Sequence, residues 1–305
     1  MMSEQRELAI DDRPNPLTRT ELTSARVLLA VDDADTAQSG EEWLRRLRWA
    51  TQPSVDILTV AAGSTAMRGF GLQTYRAAIQ EAVSESRETV LLAAQRIANS
   101  VGRRVQQSGL PVQTWARHGD IADEIIAMAR LELSDLVIVS PHGHSRPLAP
   151  WRQTVVEQVL RLSDRAVLVA RRPAHERTLP ATVLAVLPDT VRAEATLNWL
   201  VRAGWLDGAR VGLAVAGDAS SGQARTIVRW ALDPFELPAD VQIHELEDLS
   251  ADRIIDLAAE LGADLVAVSR PRLRHLPDDA AGIVAGATSS VLVVPFDRGR
   301  DSGAS

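Results

Sequence analysis

Two stretches decide how this chain folds. Ala122-Asp123-Glu124-Ile125-Ile126 runs on to Asp135-Leu136-Val137-Ile138-Val139-Ser140, and Ala251-Asp252-Arg253-Ile254-Ile255 runs on to Asp264-Leu265-Val266-Ala267-Val268-Ser269. Each position of the first recurs 129 residues later, from 122 to 251 and from 140 to 269. Apolar residues at helical spacing followed by a short continuous apolar run read as an amphipathic helix feeding a buried strand. Each strand is expected to stop at its serine, where a functional loop begins.

Working outward, the same alternation continues. Arg26 to Val31 reads as strand one, followed by Asp32-Asp33-Ala34-Asp35. Ser39-Gly40-Glu41-Glu42 opens a helix carrying Trp43, Leu44, Leu47 and Trp49. Val55 to Ala61 is strand two, and a loop with Gly63, Gly69 and Gly71 leads into a long helix ending near Gln107. Val112 to Ala116 is strand three, Gly119-Asp120 precedes the third helix, Thr154 to Leu162 is helical, and Ala166 to Ala170 is strand five.

The pattern then restarts at Val183 to Leu187. Trp199-Leu200-x-Arg202-x-x-Trp205 repeats Trp43-Leu44-x-Arg46-x-x-Trp49 at an offset of 156, and Val291 to Val294 repeats Val167 to Ala170 at 124. The fall from 156 to 129 removes 27 residues between strands two and three of the second copy, and the fall to 124 removes 5 more after strand four.

Strands alternating with helices predict a parallel sheet covered on both faces. The fold expected is α/β: two tandem doubly wound domains of five strands each, the second shortened. Residues 1–24 read as a flexible tail, 25–172 as the first domain, 173–181 as a linker, 182–297 as the second domain and 298–305 as a second tail.

Composition removes whole classes of chemistry. The chain has 305 residues, 46% hydrophobic and 24% charged, in the range of soluble globular proteins. Its net charge of −7 argues against a general nucleic-acid binder. There is no cysteine, hence no disulfide or thiolate site. All 33 basic residues are arginine, so a Walker-type P-loop, Schiff-base chemistry and the lysine of a phospho-receiver domain are all missing. No signal-peptide core or membrane-length apolar run is present, so a cytoplasmic protein without membrane contact is expected.

In doubly wound sheets, ligands sit at the carboxyl ends of the strands. Strand four ends in Ser140-Pro141-His142-Gly143-His144-Ser145-Arg146, and the next helix opens near Gln153-Thr154. A small-residue loop turning into a helix amino terminus can hold phosphates through backbone N–H groups. Gly143 would allow close approach, Arg146 would add charge, and Thr154 would cap the helix and touch phosphate. The plain alternative is a strand–helix connection in which Thr154 only caps.

These segments resemble the universal stress protein family, over about residues 25–296 as two tandem copies. ATP-binding members carry Gly-x2-Gly-x9-Gly-[Ser/Thr] after strand four. The corresponding positions here are Ser140, Gly143, Gln153 and Thr154, of which two match. An aspartate closing strand one contacts nucleotide in the family, and Asp32 stands there. Gly119-Asp120 is similar to a segment common in the family. The resemblance implies a stress-response regulator binding ATP or another adenine nucleotide in the first domain only. The alternative is a nucleotide-independent interaction protein that kept the fold. Fifth strands often pair across a dimer interface in the family, which implies pairing of Ala166–Ala170 with Val291–Val294 within one chain; a homodimer and an unidentified protein partner also stay open.

The second copy is expected not to bind nucleotide. Ser269-Arg270-Pro271-Arg272-Leu273-Arg274-His275-Leu276-Pro277-Asp278 lacks the glycines, Pro188 falls where Asp32 does, and Asp278 reads as a helix cap. Gly69-x-Gly71-x-x-Thr74 follows the wrong strand for a dinucleotide fingerprint and reads as a lid or loop. His118, His142 and His144 with Asp32 and Asp33 make a metal site conceivable, although loop histidines are more often solvent-facing. The four tryptophans recur in both copies and read as packing residues. No nucleophile–base set can be assembled, so an enzyme is not expected; a weak ATPase is the distant third reading.

Overall fold

In the computed structural model, residues 25–32, 37–62, 76–141, 155–173, 176–217, 240–271 and 278–296 are described, with the side chains of 76–86 and 278 left aside. Ten strands and seven helices are present among them. The first half runs β1 (Arg26–Val31), α1 (Gln38–Arg46), β2 (Ser54–Ala62), α2 (Arg76–Gln106), β3 (Val112–Gly119), α3 (Ile121–Leu131), β4 (Leu136–Val139), α4 (Val155–Leu162) and β5 (Ala166–Val169). The second runs β6 (Thr182–Leu187), α5 (Thr190–Ala203), β7 (Arg210–Ala216), β8 (Val241–Leu246), α6 (Ala251–Leu261), β9 (Leu265–Pro271), α7 (Asp278–Gly286) and β10 (Ser290–Phe296). The strands form one sheet, in the order β3-β2-β1-β4-β5-β10-β9-β6-β7-β8.

Every neighbouring pair is parallel except β5 and β10, which meet antiparallel with Val169 opposite Val291 and Val167 opposite Val293. The sheet register carries the sequence offsets. Val27 faces Val55 as Val183 faces Val211, both shifted by 156. Val55 faces Val112, and Val211 faces Val241, where the second member is shifted by 129. Val137 faces Val167, and Val266 faces Val291, where the shift falls to 124. The near-continuous aliphatic strands follow from this layering, because parallel strands covered on both faces bury both sets of alternating side chains.

Two apolar layers lie on the two faces. One packs α1, α2 and α5 against Val27, Leu29, Ile138, Ala185 and Ala267. The other packs α3, α4, α6 and α7 against Leu28, Val137, Leu184 and Val266. Helix starts are set by local hydrogen bonds. The Asp120 carboxylate accepts from the N–H groups of Ala122 and Asp123, at 3.1 and 3.2 Å, and the Asp189 carboxylate accepts from Arg192 N–H at 2.9 Å. At the end of α6, Gly262 takes a left-handed φ of 59°; the equivalent position after α3 is Leu133, at φ 52°.

Three expectations change. Helix α1 stops at Arg46, so Leu47 and Trp49 are not helical. The reason is a competing bridge: Leu47 pairs with Leu179, with Leu179 N–H donating to Arg46 carbonyl at 2.8 Å and Arg48 N–H to Leu179 carbonyl at 3.1 Å. Strand β3 runs on to Gly119 because β2 pairs with it throughout, Ala62 opposite Gly119. Strand β9 does not end at Ser269. It continues to Pro271, held by β10 with Pro295 opposite Arg270 and Phe296 opposite Pro271.

The seam between the halves is aromatic and cationic. Trp205 is fully buried, with Trp43, Trp49 and Trp199 around it at centroid distances of 6.5, 5.9 and 4.7 Å. Two arginines cross the seam in opposite directions. Arg171, just past β5, donates to the carbonyls of Val284 and Ser289 near the end of α7, the latter at 3.2 Å. Arg270, on β9 and fully buried, donates to the Ser163 carbonyl just past α4 and to Pro271 carbonyl at 3.2 Å. Each guanidinium meets the negative end of the other half's last helix. Burial pulls the Arg171 pKa below its ordinary value, by penalising the charged form.

Candidate functional site

Strand β1 has β2 on one side and β4 on the other, so the connections leaving β1 and β4 diverge at its carboxyl end. That is the topological switch point of the first half, where a doubly wound sheet opens a crevice. Strand β6, between β7 and β9, is its counterpart in the second half.

In the first crevice Asp32 directly follows β1 and is exposed. Ser140 directly follows β4, and its hydroxyl is buried without a hydrogen-bond partner. Gly143, Arg146, Gln153 and Thr154 lie outside the described residues. Sequence reading missed a further polar group. Thr59 on β2, opposite Val31, is 3% exposed and its hydroxyl also has no partner. Alternation places Thr59 with Ile57 and Ser140 with Ile138, both on the sheet face that α1 covers. Two unsatisfied hydroxyls thus flank the end of β1, with a carboxylate just beyond it. A buried hydroxyl left without a partner costs roughly 1–3 kcal/mol, so such groups concentrate where a ligand can meet them. The signal available in the sequence was a lone threonine inside an otherwise aliphatic strand.

The second crevice has lost two of these three groups. Pro188 replaces Asp32 and Val215 replaces Thr59 at the same offset of 156. Ser269 matches Ser140 and is likewise buried and unpartnered, but β9 runs past it for two more residues. The cavity there, bordered by Pro188, Arg192, Ser269 and Asp279, measures about 60 Å³, against the ~300 Å³ at which small-molecule pockets begin. Arg192 is engaged by the Asp189 carboxylate at 3.2 Å and lies 5.8 Å from the centre of the Phe296 ring. Asp278 is the first residue of α7.

Other sequence candidates sit elsewhere or do different work. His118 lies on β3, while His142 and His144 are outside the described residues. Among the described residues no three His, Asp or Glu side chains come together as a metal site. The tryptophans gather at the seam, beneath the helices, and Trp43 donates its indole N–H to the Arg171 carbonyl at 3.0 Å. No described helix is long and apolar enough to cross a membrane.

Comparison with known proteins agrees with this architecture. The sequence profile of the universal stress protein family matches residues 24–171. No curated protein matches the chain significantly. Among solved structures, a universal stress protein from Archaeoglobus fulgidus is similar over 91% of this chain and 100% of its own, at 16% identity and a TM-score of 0.61. A putative universal stress protein from Pseudomonas aeruginosa is similar over 90% of this chain and 94% of its own, at 18% identity and a TM-score of 0.55. The cytoplasmic domain of a prokaryotic cation chloride cotransporter is similar over 91% and 97%, at 13% identity and a TM-score of 0.52. At these identities the likeness is one of fold, and the fold alone does not set the function.

Proposed function

We propose that this chain, which through residues 24–171 belongs to the universal stress protein family, is a stress-response regulator that binds one adenine nucleotide, ATP or a close relative, in the crevice of its first half. The observation carrying this reading is the contrast between the two switch points. Asp32, Thr59 and Ser140 border the first with polar groups, two of them buried and unsatisfied. Pro188 borders the second, whose cavity holds about 60 Å³, and Val215 stands at the position equivalent to Thr59. The chemistry of the residues present suits a nucleotide: the Asp32 carboxylate would accept from a ribose hydroxyl, and the two unsatisfied hydroxyls can donate to phosphate or sugar oxygens. Gly143, Arg146, Gln153 and Thr154 of the following loop complete the set, with Arg146 supplying the charge for phosphate.

Calorimetric titration of ATP onto the intact protein tests this, with Asp32→Ala and Gly143→Arg as variants. Saturable binding that both variants weaken supports the proposal. No heat with the parent protein overturns it and leaves the nucleotide-independent interaction protein as the reading. Binding unchanged in both variants overturns the site.

A further inference from the structure

The opposite, amino-terminal ends of the strands differ between the halves in the reverse sense. In the first half, Arg130 at the end of α3 and Arg165 before β5 both reach Asp164, with Nε to Oδ1 distances of 3.7 and 3.6 Å. The equivalent positions in the second half, at offsets of 129 and 124, are Ala259, Ser289 and Thr288. Three long or charged side chains have become small ones. A groove of about 300 Å³ opens in their place, between the end of α6 and the start of β10. Its size reaches the lower end of small-molecule sites.

The charges around this groove are mixed. Arg172, from the segment leaving β5, lines it. The residue is exposed and enters no ion pair among the described residues. Asp264 lines it as well. The Asp264 Oδ2 accepts from the N–H groups of Ala181 and Thr182, at 2.9 and 3.0 Å, which leaves Oδ1 available. Helix α6 ends here at Gly262, so the negative end of its dipole borders the same space. A simple anion would be drawn to Arg172 but repelled by Asp264 and the helix end. A simple cation would meet the opposite conflict. A molecule carrying both charges a few atoms apart satisfies both walls.

We propose that this groove binds a small zwitterion, a free α-amino acid, with its carboxylate on Arg172 and its ammonium on Asp264 and the carbonyl end of α6. The site does not depend on the nucleotide reading, since it uses none of the same residues, although the antiparallel meeting of β5 and β10 brings the start of β10 beside the end of β5, on the sheet edge where β4 also ends. It does adjoin the seam: Arg171, next to Arg172, donates its N–H to Ser290 Oγ at 2.8 Å, and Ser290 lines the groove. An occupant would therefore touch segments of both halves.

The test is titration of the full-length protein with each proteinogenic amino acid in turn, by calorimetry at millimolar concentrations, with acetate and methylammonium as single-charge probes. At least one amino acid is expected to bind saturably, and both single-charge probes to bind more weakly than it does. Arg172→Ala should weaken binding about tenfold or more, as loss of a charge-assisted pair does. The double variant Ala259→Arg/Thr288→Asp, which rebuilds the Arg130–Asp164 pair of the first half on exposed positions, should abolish it. Absence of binding by every amino acid overturns the proposal. So does binding of acetate as tight as that of the amino acid, or binding that persists in the filled variant.

Discussion

The crevice at the end of β1 and the crevice at the end of β6 share one backbone plan and differ in what borders them. Strand pairing in the two halves superimposes at the sequence offsets, down to Val27 with Val55 and Val183 with Val211. Yet Asp32 has become Pro188, Thr59 has become Val215, and a strand that stops at Val139 has a counterpart that continues to Pro271. Ser140 and Ser269 are shared, so the serine marks the end of the common skeleton and does not by itself mark a site. At the amino-terminal ends the contrast inverts, with ion pairs filling the first half and a groove in the second. Sheet packing is constrained by two apolar layers, whereas residues at strand ends are free to diverge, and it is there that the halves part.

The strongest break of this comparison is at the place the halves share. Trp205→Ala should cost about 3–5 kcal/mol, as loss of a fully buried aromatic does, read by denaturant unfolding. Trp49→Ala, its equivalent in the first half and only partly buried, should cost less than half of that; equal losses would show that the two halves contribute alike to the seam. Arg270→Ala should come next, at about 2–3 kcal/mol, because it strips donors from buried carbonyls, and the unfolding transition should stay single if the seam unfolds as one unit.

Smaller effects sharpen the crevices themselves. Val215→Thr should destabilise by about 1–3 kcal/mol, by placing a hydroxyl in an apolar layer. Thr59→Val should stabilise the free protein by about 1 kcal/mol while weakening nucleotide binding. Opposite signs would show that neither site satisfies a hydroxyl in the free protein, so that nucleotide binding, weakened by Thr59→Val and unchanged by Val215→Thr, is what separates the crevices; a loss of stability in Thr59→Val would show instead that its hydroxyl is already satisfied within the protein. Leu133→Gly should stabilise by about 0.5 kcal/mol, matching Gly262 at the equivalent left-handed position, whereas a loss would show that Leu133 contributes packing there.

Much of the fold was legible because strand burial is written in runs of Val, Leu and Ile and because those runs recur. The spacing placed eight of the ten strands, leaving β7 and β8 without residues, and the family resemblance, rather than the spacing, implied β5 beside β10. What periodicity could not show was competition by distant partners. Leu47 looks helical in sequence, but Leu179, far along the chain, takes its backbone into a bridge. Ser269 looks like an end, but β10 continues to offer a partner. The aromatic repeat identified the tryptophans as packing residues without revealing that Trp43 from one copy and Trp205 from the other, which are not equivalent positions, occupy the buried centre. Asp32 and Ser140 were legible as strand-end residues. Thr59 was not, since a single threonine in a strand is common and only its unsatisfied hydroxyl singles it out. The groove at Arg172 was invisible for a similar reason, because it arises from what Ala259, Thr288 and Ser289 are too small to fill.

The central claim is that one skeleton is used twice while one crevice binds. Native mass spectrometry of the intact chain with excess ATP measures this directly. The account predicts one nucleotide per chain, lost in Gly143→Arg and retained when Ser269 of the second crevice is changed to Ala. Two nucleotides per chain, or one that survives Gly143→Arg and disappears with Ser269→Ala, would contradict it.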